Sequence, residues 1–119
     1  QVGAALMLEN GIVVTGSNQE NIAYPSGLCA ERVAMFAASA QYPGVKMLAL
    51  AVATTTVGTD PETTVSPCGS CRQVMVEYER IQVPAIRVLT GAASGVVDVF
   101  ESTTALLPLA FFDSSLTNK

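Results

Sequence analysis

Met47-Leu48-Ala49-Leu50-Ala51-Val52-Ala53 is an unbroken apolar run of strand length, set between two stretches of helical character. A run of this kind suits a strand covered on both faces, as in sheets flanked by helices. Upstream, Ala30, Val33, Ala34 and Ala37 fall at i, i+3, i+4 and i+7, the stripe of an amphipathic helix running from after Gly27 to near Gln41. Downstream, Ser66-Pro67 reads as an N-cap followed by proline at the first helical position, and Val74, Tyr78 and Ile81 give that second helix its core-facing stripe. At the front, Ala4 to Leu8 and Ile12 to Thr15 flank Asn10-Gly11, which predicts a β-hairpin with a type I′ turn. Thr54 to Ser66, polar and carrying Gly58 and Pro61, reads as a loop. Pro84 to Leu89 and Val96 to Phe100 read as two further strands, and Thr103-Thr104 opens a short helix that Pro108 stops. The order β-β-α-β-α-β-β-α predicts an α/β fold, a mixed sheet with helices packed on its faces.

The 119 residues have room for one core, so residues 1–119 are expected to form a single domain. Charged residues make up 13%, about half the usual share, so some surface is expected to meet another subunit. A formal charge of −4, with six basic residues scattered singly, argues against a nucleic-acid partner. No apolar run approaches the roughly 20 residues that span a bilayer, so no membrane partner is expected. Three cysteines, an odd number, with no signal peptide predict a reduced, cytoplasmic protein. Gln1-Val2 enters a strand with no initiator Met and nothing before it, so a segment N-terminal to Gln1 is expected to be missing.

Histidine is absent, which removes every Ser-His, Cys-His and His-zinc mechanism. Catalysis near neutral pH then needs a carboxylate, a thiolate or a metal-bound water. The cysteines fall as Cys29-Ala30-Glu31 and, after a gap, Pro67-Cys68-Gly69-Ser70-Cys71, all at predicted helix starts where unpaired amides favour a thiolate. Cys68 and Cys71 have the spacing of a zinc knuckle, but only Cys29 remains to join them. Three protein ligands with the fourth position open is the arrangement of a catalytic zinc, whose bound water has a pKa near about 7. Glu31 lies about 200° round an ideal helix from Cys29, yet at a first turn it can flank the helix end beside the metal as a proton carrier. Arg32 and Arg72, each directly after a ligand-bearing motif, are placed to donate hydrogen bonds to the sulfurs and soften their charge.

With these motifs stand Val2-Gly3-Ala4-Ala5, Asn18-Gln19-Glu20-Asn21, Cys29-Ala30-Glu31-Arg32, Pro67-Cys68-Gly69-Ser70-Cys71-Arg72-Gln73, and Leu106-Leu107-Pro108 with Phe111. On them the chain resembles the small homotetrameric zinc-dependent cytidine deaminases, a chemistry in which a glutamate that does not ligate zinc carries protons. The resemblance implies a three-layer α/β/α fold with a mixed five-stranded sheet, Zn²⁺ on Cys29, Cys68 and Cys71, and hydrolytic deamination of cytidine or deoxycytidine in pyrimidine salvage with Glu31 as proton shuttle. It further implies that Asn18 and Glu20 hold the ribose hydroxyls, that Ala30 and Glu31 read the pyrimidine edge, and that Phe111 reaches a neighbouring subunit's site. The family carries a helix and an aromatic residue just before Val-Gly-Ala-Ala, where this chain has only Gln1.

Plainer readings stand beside these. Cys68 and Cys71 could be a redox dithiol, Cys29 an ordinary buried cysteine, and Glu31 a favourable first-turn acid. Asn18 to Asn21 could be a polar loop leaving a strand, and Arg72 a solvated helix residue. Another aminopyrimidine nucleoside, such as a blasticidin-type antibiotic, is the alternative substrate, and a structural zinc or redox protein the alternative to an enzyme.

Overall fold

The computed structural model describes residues 2–54, 64 and 66–112. β1 (Val2–Leu8) pairs antiparallel with β2 (Val13–Ser17) on one side and with β3 (Met47–Thr54) on the other. β3 runs parallel to β4 (Arg87–Gly91), which pairs antiparallel with β5 (Val97–Phe100). The expected mixed five-stranded sheet therefore forms, in the order β2-β1-β3-β4-β5. Its one parallel step, β3 to β4, is bridged by α2 (Gly69–Arg80), because parallel neighbours need a crossover. α1 (Ala30–Gln41) joins β2 to β3.

Leu6 lies opposite Leu50, and Leu50 opposite Val88, so these three share one face of the sheet. Met35 of α1 and Met75 of α2 pack with them in a single core, which puts both helices on that face. Of the three layers expected, the described residues build the sheet and one helical layer. The reading of Met47–Ala53 as covered on both faces is corrected accordingly, since Ala51 and Ala53 are exposed while Leu50 and Val52 are buried. The alternation is there but muted, because alanine counts as apolar yet loses little when left in water.

Local details differ from expectation for identifiable reasons. The hairpin forms, but Gly11 alone is left-handed, at φ 85°, so the turn is not type I′. The Gly11 amide donates to the Leu8 carbonyl and the Leu8 amide to Ile12, the pattern of a three-residue loop closed by a left-handed glycine. α2 is capped by Cys68 rather than by Ser66, and its buried stripe is Cys71, Met75 and Val76, with Val74 and Tyr78 half-buried and Ile81 exposed. Of the expected α1 stripe, Ala30 and Ala34 are buried and Val33 and Ala37 half-buried; Glu31, Met35 and Ala38 complete the buried face. β4 starts at Arg87, not Pro84, because the Ile86 amide is taken by the Glu79 carboxylate before the ladder begins. The short helix at Thr103 is a 3-10 helix, Thr103–Leu106, capped by the Ser102 hydroxyl. A second 3-10 turn, Tyr24–Ser26, was not foreseen. The loop expected from Thr54 to Ser66 lies largely outside the described residues.

Candidate metal centre and active site

Both helices start directly after a cysteine. Cys29 is the N-cap of α1 and Cys68 the N-cap of α2, and neither receives a side-chain capping bond; Cys71 stands in the first turn of α2. The packing of α1 against α2 brings these two N-termini together, so that the three Sγ atoms lie within 4.8 Å of one another. Cys29 Sγ and Cys68 Sγ are 3.6 Å apart, and all three thiols are free. Tetrahedral Zn–S bonds of about 2.3 Å place sulfurs about 3.8 Å from each other, so the donor set fits a zinc ion. Cys29, Cys68 and Cys71 would hold it.

The surroundings tune the thiols in opposite directions. Burial, the charge of Glu31 and the neighbouring thiols push the Cys71 thiol up, and a cation bound between the sulfurs would act against that shift. Burial also opposes ionisation of Cys68, but the amides of Cys71 and Ser70 and the adjacent thiols outweigh it and hold that thiol below its usual range. Arg32 Nη2 lies 3.6 Å from Cys29 Sγ, and this bond is the main reason its guanidinium is held more firmly protonated. The expected role of Arg32 beside sulfur thus has its geometry. Arg72 is a correction: its Nε donates to the Pro67 carbonyl at 2.8 Å and its Nη1 to the Leu106 carbonyl at 2.9 Å, not to sulfur. The Pro67 carbonyl lies just before the start of α2, and the Leu106 carbonyl is within reach because the 3-10 helix packs on α2.

Glu31 is 3% exposed in the first turn of α1, close enough for its charge to act on Cys71. Ala30 beside it is fully buried. An open cleft of about 670 Å³ runs past Cys29 and Arg32 and is bounded by Asn18, Glu20 and Tyr24. Asn18 is held in place there, its Oδ1 accepting from the Val2 amide at 3.0 Å. Phe111 is not among the cleft's lining residues; it is 71% exposed, while its backbone amide and carbonyl are both bound by the Gln73 side chain. Sequence reasoning missed Glu79, whose carboxylate collects the Ile86 and Thr103 amides and the Ser102 and Thr104 hydroxyls. One signal could have found it, because an acid in the last turn opposes the helix dipole and implies a partner.

Two helix N-termini, three thiols and an adjoining buried carboxylate form a candidate metal site with three protein ligands, the number that catalytic zinc sites use. Residues 1–86 match the family model described as the cytidine and deoxycytidylate deaminase zinc-binding region. A cytidine deaminase of Sporosarcina psychrophila is 43% identical over 118 residues, covering 98% of this chain and 78% of that protein. One of Halalkalibacterium halodurans is 42% identical, covering 93% and 76%. The crystal structure of cytidine deaminase from Burkholderia pseudomallei superimposes with a TM-score of 0.75 at 43% identity, covering 92% of this chain and 80% of that one. The corresponding enzyme of Mycobacterium tuberculosis gives 0.67 at 33% identity, covering 94% and 79%. This chain belongs to the cytidine and deoxycytidylate deaminase zinc-binding family.

Proposed function

We propose that residues 1–119 act as one domain that hydrolyses cytidine and deoxycytidine to uridine and deoxyuridine, releasing ammonia, in pyrimidine salvage. The observation that carries this reading is the convergence of three thiols, one of which, Cys29, lines an open cleft, with the buried Glu31 close enough for its charge to act on Cys71. Zinc bound by the thiols supplies Lewis-acid activation of water for attack at C4. Glu31 takes a proton from the nucleophile and delivers it to N3, then carries the second to the departing amine. Water's oxygen thus becomes the C4 carbonyl and ammonia leaves. Burial of Glu31 keeps bulk water from competing for those protons. Asn18 and Glu20 bind the ribose hydroxyls, and Ala30 with Glu31 reads the pyrimidine edge. Arg32 offsets thiolate charge through Cys29. A cytoplasmic homotetramer, in which Phe111 reaches a neighbour's site, completes the reading. The test is ammonia release from cytidine by purified, zinc-loaded protein, with metal analysis of the same sample. Zinc-loaded protein releasing ammonia from neither nucleoside would overturn it.

A further inference from the structure

Three thiols must hold one geometry, and the structure secures them unequally. Cys71 lies inside α2 and is fully buried, and Cys29 is backed by Arg32. Cys68 is the exposed member, at the point where the chain enters α2. Arg72 grips this point twice. Its backbone amide donates to the Cys68 carbonyl at 3.0 Å, and its side-chain Nε donates to the carbonyl of Pro67, the preceding residue, at 2.8 Å. The other prong of the guanidinium is anchored 34 positions away, on the Leu106 carbonyl at the end of the 3-10 helix. That segment is itself fastened along α2, by Gln73 to Phe111 and by Glu79 to Ser102 and Thr103.

We propose that Arg72 is a positioning residue for Cys68, fixing the exposed thiol against the C-terminal segment, which serves as its abutment. The inference rests on the metal reading above and deepens it by naming what holds the least secured ligand. A planar guanidinium meets two carbonyls at once in a fixed fork, whereas a lysine ammonium on its flexible stem does not hold that geometry. Replacing Arg72 by lysine therefore releases the Pro67 carbonyl while the charge is kept, and by glutamine releases it without the charge.

The experiment measures how fast a chelating dye strips zinc from the intact protein and from Arg72→Lys and Arg72→Gln. Loss of a ligand's supporting partner typically weakens metal binding 10- to 100-fold, and stripping faster by about that factor is expected. In the cobalt-loaded variants the thiolate-to-metal charge-transfer band should also shift. Stripping within about twofold of the parent, with an unchanged cobalt spectrum, overturns the proposal. Glu79→Gln loosens the same segment at the far end of α2; if it speeds zinc loss as much as Arg72→Lys, the effect is general loosening and the proposal also falls. Should the Arg72 variants not fold, the parent decides: the Arg72 Nε–H resonance of the metal-free protein should exchange slowly with solvent, and fast exchange refutes a preformed clamp. A parent that takes up no zinc overturns the functional reading and this inference with it. Zinc-loaded parent with indifferent Arg72 variants overturns the inference alone.

Discussion

A cysteine at a helix N-cap gives up a bond that serine or aspartate would make to the first-turn amides, which is typically worth about 1 kcal/mol. Cys29 occupies such a position without a capping bond, and Cys68 offers its first-turn amides a sulfur, a weaker acceptor than oxygen, so both helices give up capping stabilisation while their sulfurs face a third. Purified protein should accordingly carry one zinc per chain, and elemental analysis near zero in active protein would contradict that. Glu31 adds no ligand in this reading; it moves protons. Glu31→Gln should therefore keep zinc while kcat on cytidine falls about 10² to 10⁴-fold, the usual contribution of general acid–base steps. Retained turnover in a zinc-replete Glu31→Gln protein would remove it from that role. The thiols and Glu31 were legible in the sequence because a chain without histidine leaves few ways to bind a metal. Arg72 was not, since adjacency to a cysteine says nothing about which way a long side chain turns, and here two main-chain carbonyls lie within reach.

Elements are placed by close approaches that one methyl group can spoil. A Cβ on Gly16 would stand 2.7 Å from both the Ala30 carbonyl oxygen and the Ala34 nitrogen, so β2 touches the backbone of α1 just where the helix presents Cys29 and Glu31. Neither contact is a flexible side-chain tip. Gly16→Ala should lower the melting temperature through overpacking of about 1 to 3 kcal/mol and speed zinc loss by shifting α1. Parent-like values of both would show that the helix can move without consequence. At the other end of the core, the Glu79 carboxyl is held below its usual range: burial works against ionisation, but the Thr103 and Ile86 amides and the Ser102 hydroxyl prevail. A depressed carboxyl stabilises the fold fully above its unfolded pKa, about 4.3, and loses that contribution as pH falls through the folded value. The melting-temperature gap between parent and Glu79→Gln should thus be constant above about pH 5 and narrow below it; a gap that widens in acid would reverse the sign. Hairpin, helices and the order of elements along the chain were readable from period and turn residues, because those signals are local. Strand ends and helix faces were not, since they depend on side-chain bonds such as that of Glu79 to the Ile86 amide and on Met35 and Met75, far apart in the chain, joining one core.

At the scale of the whole molecule, apolar surface remains to be covered. On the sheet face away from the helices, Ala5, Ala51, Ala53, Leu89 and Val97 surround a hollow of about 550 Å³. Ile22, Tyr24 and Leu109 are 96%, 87% and 95% exposed, far more than a chain with so few charged residues can guard in water. Closed symmetric association is the usual way such surface is buried. Phe111 and Phe112, adjacent in sequence, are treated differently by the fold. The Phe112 ring sits under the Arg80 guanidinium, 4.3 Å from it, and is partly covered by its own chain. Among the described residues Phe111 is held through its backbone, by Gln73, and the residue is 71% exposed. A clamped backbone on an exposed residue suits an aromatic offered to a neighbouring copy, at little further entropic cost on binding. Light scattering should therefore give a multiple of the 12.4 kDa chain mass. Phe111→Ala should raise KM for cytidine by roughly tenfold, as loss of one stacked aromatic contact of about 1 to 1.5 kcal/mol implies, with zinc retained. Phe112→Ala should leave KM near the parent value. Equal effects of the two substitutions, or a fully active monomer at assay concentration, would refute the shared site.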